Sequence, residues 1–196
     1  MDDRELSDRQ NEIVERSMDL ISRDGIQGLT MKKIALAIGI TEPALYRHFQ
    51  SKADILNALI GTLNEKRRGI AQDAERLHTD FRPFLEAFIL NHARLFQQQP
   101  TMTLIIFSEE LFKQDSELAM RVRGMMHDSL DLLHRWIRDA IHNKEIRSDI
   151  DPFSTTMLII GGFRLLVSLW QMENHAYDLE IRTAKFLAET FLLLGL

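Results

Sequence analysis

Residues 30–52 leave the chain a narrow choice of shape. Two threonines, Thr30 and Thr41, stand either side of Gly39. Threonine is a good N-cap, because its hydroxyl accepts from a backbone N–H two or three residues on. Each threonine therefore opens a helix. The first runs from Met31 to Ile38 and is closed by Gly39; the second reaches about Phe49. Pro43 falls in the first turn of that second helix, where its missing N–H costs nothing. Ala35 is small where two helices must approach closely, and Gly39 can take the positive φ that a tight turn needs. Two short helices joined in this way have the form of a helix-turn-helix.

The side chains divide cleanly between two faces. Ile34, Ile38, Ile40, Leu45 and Phe49 are spaced to share one core. At 3.6 residues per turn, Pro43, Tyr46 and Arg47 then lie away from Leu45. With Glu42 and Ala44 they form a short polar tip that fits a DNA major groove, whose width of about 12 Å admits one helix. Thr41 and the helix N-terminus offer donors to phosphate. Tyr46 can give its hydroxyl to phosphate or pack on a thymine methyl, and Arg47 suits a guanine edge. His48 and Lys52 are placed for the flanking backbone. Thr30, Met31 and Lys32 open the preceding helix and can grip phosphates on the other side. Glu42 sets an acid near the groove, where it tolerates a cytosine amino group and repels phosphate.

Charge distribution agrees with this reading, although the chain as a whole carries −5. Lys32, Lys33, Arg47 and Lys52 face only Glu42 within residues 29–52, while the segments on both sides are net acidic. An acidic body limits non-specific binding by repelling backbone away from the heads.

The rest of the chain reads as helix. Ser7 and Gln10 make a capping box for a first helix that Gly25 ends. Ser51 and Asp54 make another for a helix toward Leu77. Helices follow near 82–98, 101–113, 115–143, 152–173 and 178–195, with Pro83, Pro100 and Pro152 as punctuation. No strand-like alternation appears. The expected fold is all-α with about nine helices. The boundary falls along the helix from Ser51, with a small three-helix unit over 1–52, its connecting helix starting at 51, and a larger helical unit over 53–196. The chain has no cysteine, so thiolate metal sites and disulfides are excluded. The acidic start, Met1 to Glu5, is not a signal peptide. Met157 to Trp170 is apolar over fewer residues than the ~20 a membrane span needs, so it reads as a core helix. The expected place of work is the cytoplasm, with no membrane partner.

The stretch from Gly28 to Leu56 resembles the DNA-binding domain of the TetR/AcrR family. Its most specific part is Leu45-Tyr46-Arg47-His48-Phe49, followed by Ser51-Lys52. The similarity runs over roughly residues 8 to 60; beyond that only the helical layout is shared. The resemblance implies a ligand-responsive repressor that binds a palindromic operator in double-stranded DNA as a homodimer. It implies DNA binding for the unit over 1–52 and effector binding with dimerisation for the unit over 53–196. A ligand in the C-terminal part would move the two reading heads out of register. Half-sites about 34–36 Å apart, or a multiple of that, make such a pair sensitive to small rotations.

Two further regions invite assignment. Helices 152–173 and 178–195 are too apolar for a single buried stripe, which points to a dimer interface. Its candidates are Phe153, Met157, Gly161, Gly162 and Phe191, with the glycines allowing close approach of a helix. For an effector pocket, Phe88, His92 and Phe96 share a face of the helix near 82–98. Met102, Ile106, Met125, Met126, Trp136 and Arg164 are further candidates, and a small, largely apolar ligand suits them. No catalytic constellation, cofactor motif or convincing metal cluster appears; His127 and Asp131 with His134 are the nearest approach to one. A second class of reading remains open, in which a helical small-molecule-binding protein or enzyme keeps a purely structural helix-turn-helix.

Overall fold

The computed structural model describes residues 6–107 and 116–196. Nine helices lie among them: α1 (Asp8–Asp24), α2 (Met31–Ile38), α3 (Glu42–Tyr46), α4 (Lys52–Leu77), α5 (Phe81–Gln98), α6 (Thr101–Ile106), α7 (Ser116–His142), α8 (Pro152–Met172) and α9 (Leu179–Leu194). No strand occurs among the described residues, and the all-α expectation holds. α3 stops three residues short of Phe49, because its last turn tightens: His48 and Phe49 both donate to the Leu45 carbonyl. α6 ends at Ile106 and Phe107 is already in a turn; positions 108–113 of the helix expected over 101–113, with position 115, lie outside the described residues.

The chain packs as two units. One comprises residues up to Glu65 together with Leu104–Val122; the other comprises Lys66–Thr103 together with Arg123–Leu196. In the first unit α1 packs on α2 and α2 on α3. Ile34, Leu45 and Phe49 are buried there with Ile13, Ile21 and Ala35, whereas Ile38 and Ile40, expected in the same core, flank the turn at Gly39 and are only half-buried. The Ser7–Gln10 capping box forms, and the Gln10 amide also donates to the His48 carbonyl at 3.2 Å, tying the start of α1 to the end of α3. Gly39 takes the left-handed conformation, φ 74°, and donates back to the last turn of α2.

In the second unit α9 lies along α5, and α8 packs on both. The Gln97 side-chain carbonyl accepts from the Leu179 and Glu180 N–H groups, capping α9 from the neighbouring helix. Arg94 pairs with Glu180 near the same end. Toward the other end, the Arg82 guanidinium sits 4.7 Å above the Phe191 ring. Trp170 donates to the Tyr177 carbonyl, and the Tyr177 hydroxyl to the Leu166 carbonyl, closing the α8–α9 loop.

Three expectations about α8 and α9 need correction. Phe191 is not presented outward: it is 4% exposed, under Arg82. Gly162 does allow a close approach, but by Phe186 of the same chain; a Cβ there would lie 2.8 Å from the ring edge. α8 is not a simple core helix either. Across its 21 residues it is long and apolar enough to cross a bilayer, yet only a third of the relevant stretch is buried in the protomer. Phe153, Met157, Leu158, Leu165, Leu169 and Met172 are exposed, and Gly161 has open space above it.

Enlarging Gly162 should therefore strain the protomer itself. Gly162→Leu is expected to cost about 1–3 kcal/mol of unfolding free energy through overpacking. Adding Phe186→Ala should recover part of that loss. Urea denaturation of the single and double variants measures both.

Candidate functional site

The tip of the helix-turn-helix is built from two caps and one buried leucine. The Thr30 hydroxyl accepts from Lys33 N–H at 3.2 Å, and the Thr41 hydroxyl from Ala44 N–H at 3.3 Å. Leu45 is fully buried, which turns the opposite face of α3 outward. Tyr46 is 48% exposed, and Arg47, Pro43, Thr41, Thr30 and Lys32 are exposed. Met31, Glu42, Ala44, His48 and Lys52 are half-buried. One detail departs from expectation. The Ala44 N–H is used internally by Thr41 and Pro43 has no N–H, so the Thr41 hydroxyl proton and the Glu42 N–H are the donors this end of α3 can offer a phosphate.

The lysines around the tip have structural duties as well. Lys52 donates to the Ile26 carbonyl at 3.0 Å, holding the α1–α2 loop, and burial pulls its pKa down. Lys33 bridges to Asp24 at 2.7 Å, and Arg23 pairs with the other oxygen of that carboxylate at 3.0 Å. Hydrogen bonds from Arg23 and Lys33 bring the Asp24 pKa down to about 2. Lys32 and Arg47 are exposed, and Lys33 is exposed as well while bridged to Asp24.

The effector candidates do not all converge. Phe88, His92 and Phe96 line one face of α5, as predicted, and are buried. They belong to an aromatic column. Phe84 stacks on Trp136 at 3.9 Å and on Phe88 at 5.7 Å between ring centroids. His92 meets Phe88 edge-on at 4.7 Å, and Phe96 stacks on Phe163 at 6.1 Å. Met102 and Met125 are buried in the same unit, while Ile106 belongs to the other one. Arg164 is half-buried, its guanidinium 3.9 Å from the Met126 sulfur.

His92 is the unusual member. Its Nδ1–H donates to the Phe88 carbonyl at 2.6 Å, so Nε2 carries the lone pair. That nitrogen is buried without a partner among the described residues. Desolvation, opposed by the Phe88 hydrogen bond and assisted by the nearby Arg67 charge, lowers the His92 pKa to about 4. Leaving such an acceptor unpaired costs about 1–3 kcal/mol.

Two polar residues of this region escaped the sequence reading. Arg67 has only 10% of its side chain exposed and donates to Asp128 at 3.0 Å and Ser129 at 2.8 Å. Thr183 is fully buried, and its hydroxyl has no partner among the described residues. The signal was present in the spacing. Arg67 follows Leu56, Leu59 and Leu63 on the apolar stripe of α4, and Thr183 stands between Leu179 and Leu187 on that of α9.

A capped helix-turn-helix with an outward cationic tip, carried by an all-helical chain, defines a helix-turn-helix DNA-binding protein. Residues 13–59 match the bacterial regulatory proteins of the tetR family, and residues 53–193 match the C-terminal region of YsiA-like proteins. The chain belongs to the tetR family, a class of ligand-responsive, DNA-binding transcription regulators. It is 28% identical over 123 residues to the nucleoid occlusion factor SlmA of Actinobacillus pleuropneumoniae serotype 5b (strain L20). That similarity covers 62% of this chain and 61% of the relative. It is 25% identical over 174 residues to the fatty acid metabolism regulator protein of Bacillus subtilis (strain 168), covering 86% of each. Among solved structures, the transcriptional regulator FadR from Bacillus subtilis in complex with stearoyl-CoA superposes with a TM-score of 0.76. The identity there is 22%, over 92% of this chain and 96% of that one.

Two measurements check the geometry. Leu45→Ala should lower stability by about 2–4 kcal/mol, whereas Tyr46→Ala should change it by less than about 0.5 kcal/mol. Thermal unfolding of the two variants compares them. His92 should also make stability pH-dependent. Its folded pKa lies below the unfolded value, so the unfolded chain takes up the proton first. Stability should therefore fall as pH drops from about 6.5 toward 4, by up to about 3 kcal/mol from this group. His92→Gln should flatten that part of the curve.

Proposed function

We propose that this chain is a repressor that binds a palindromic operator as a homodimer and is released by a small, largely apolar effector of the acyl type. Residues 1–52 form the reading head and 53–196 the body that senses ligand and dimerises. The observation that carries the first half is the tip of α3: Tyr46 and Arg47 stand outward on a helix whose opposite side is locked by Leu45. In this reading Arg47 contacts a base edge and Tyr46 the backbone or a thymine methyl, with Glu42, Pro43 and Ala44 against the groove. Thr30, Met31, Lys32, Thr41, His48 and Lys52 hold phosphates on either side. The work is done in the cytoplasm, where the operator is.

Two lines support the acyl effector. The body contains a buried row of Phe84, Phe88, Phe96 and Phe163, with Met102 and Met125 buried in the same unit, an apolar surrounding suited to an alkyl chain. The structurally similar FadR was crystallised with stearoyl-CoA, and a second relative is a fatty acid metabolism regulator. The effector lies along Phe88, His92, Phe96, Met102, Met125, Met126 and Trp136, with Arg164 and Arg67 as nearby cations.

Dimerisation uses the exposed apolar face of α8. Phe153, Met157, Leu158 and Leu165 lie on it, with Gly161 available for close approach. Polar solvent on such a continuous apolar strip is unfavourable, and a second copy covers it symmetrically.

Operator binding should weaken steeply with salt, since cations at each head displace counterions. Tyr46→Ala should cut affinity for the palindrome upstream of the protein's own gene at least about tenfold, with unchanged stability. A long-chain acyl compound, tested as the free acid and as the CoA thioester, should release the complex in a gel-shift titration. Binding that is independent of both salt and Tyr46 would contradict this reading. Leu158→Glu together with Leu165→Glu should yield monomers in sedimentation analysis; an unchanged mass would contradict the α8 interface.

A further inference from the structure

His92 and Thr183 place two unpartnered polar atoms on the facing helices α5 and α9. His92 is 7% exposed and Thr183 is fully buried, and neither His92 Nε2 nor Thr183 Oγ1 has a hydrogen-bond partner among the described residues. The two helices run antiparallel, with Arg82 meeting Phe191 and Arg94 meeting Glu180. That register brings His92 to the level of Arg182 and Thr183. Thr183 also differs from other threonines in helices. Thr62, Thr155, Thr156 and Thr190 each donate to the carbonyl four residues earlier in the chain, and Thr183 does not.

The two atoms have complementary requirements. Nδ1–H of His92 is committed to Phe88, so Nε2 can only accept. The Thr183 hydroxyl can donate. Between phenylalanine rings an ionised group would be costly, and a neutral group that both donates and accepts fits. An alcohol does both, and so does an un-ionised carboxyl. A water molecule has the same capacity, and a ligand hydroxyl reproduces the bonds of the water it displaces, whereas an ether does not.

We propose that the effector carries a neutral O–H group on its apolar frame, an alcohol or un-ionised carboxyl, read by His92 Nε2 and Thr183 Oγ1. This rests on the effector reading above and sharpens it: the α5–α9 pair selects for the O–H, and the aromatic column accepts the alkyl part. The lowered pKa of His92 keeps the imidazole a neutral acceptor at ordinary pH.

The test is titration of the full chain by calorimetry with 1-dodecanol, its methyl ether, lauric acid and lauroyl-CoA. Dodecanol should bind about tenfold or more tightly than the ether, a difference of about 1.4 kcal/mol, or lauric acid should bind at least that much more tightly at about pH 5.5 than at about pH 8. The first result assigns an alcohol and the second an acid; either supports the proposal. His92→Leu and Thr183→Val should bring these ratios near one while leaving ether binding in place, and His92→Gln, which keeps an acceptor, should retain a preference. Equal binding of alcohol and ether with pH-independent binding of the acid overturns the proposal, as do ratios that survive both substitutions. Binding of lauroyl-CoA alone overturns the O–H selection and leaves the acyl effector standing; no binding by any probe overturns both. If the variants do not fold, the His92 Nε2 nitrogen resonance of the wild-type chain decides. It should shift with dodecanol or acid and not with ether, and no shift with either overturns the proposal.

Discussion

The burial of Leu45 is the constraint on which the reading head depends. α3 has five residues and cannot persist by itself, because helix nucleation is unfavourable and so short a segment recovers few hydrogen bonds. Its position is set from below. Leu45 and Phe49 sink into a core with Ile34 and Ala35. Thr41 caps the N-terminus, and Gln10 reaches from α1 to the His48 carbonyl. With one side so fixed, Tyr46 and Arg47 have only the outer side left. The outward face of α3 is thus held by contacts made on its buried side and at its two ends.

The same economy appears around the lysines. Lys52 and Lys33 lie in the cationic segment that reads as a phosphate grip, yet Lys52 fastens the α1–α2 loop and Lys33 neutralises Asp24. An ammonium has three protons, so one bond inward leaves others for a phosphate. The inward bond also limits where the charge can stand, which lowers the entropy lost on binding. Lys32 and Arg47, both exposed, are the freer reach of the tip.

In the second unit the balance runs the other way. The rings run from Trp136 through Phe84, Phe88 and His92 to Phe96 and Phe163. Arg67 is satisfied by Asp128 and Ser129; His92 is held by a single bond at Nδ1. A buried group bonded on one side only specifies its missing partner by what it can no longer do.

Local chemistry made the head legible in the sequence. Caps, the turn glycine and the i, i+4 spacing of Leu45 and Phe49 act over a few residues, so the pattern alone fixes which side of α3 faces out. The helix order was legible for the same reason. The body was less so. That Gly162 makes room for Phe186, that Phe191 lies beneath Arg82, and that α8 leaves much of its apolar surface outside depend on how distant helices meet. An apolar residue reads the same whether it packs inward or awaits a second copy. Likewise, Thr183 and Arg67 look like ordinary members of helical stripes until the tertiary structure shows who surrounds them. Side-chain type and periodicity state what a residue needs; only the packing of remote segments decides which neighbour meets that need, because those contacts join positions many turns apart in the chain.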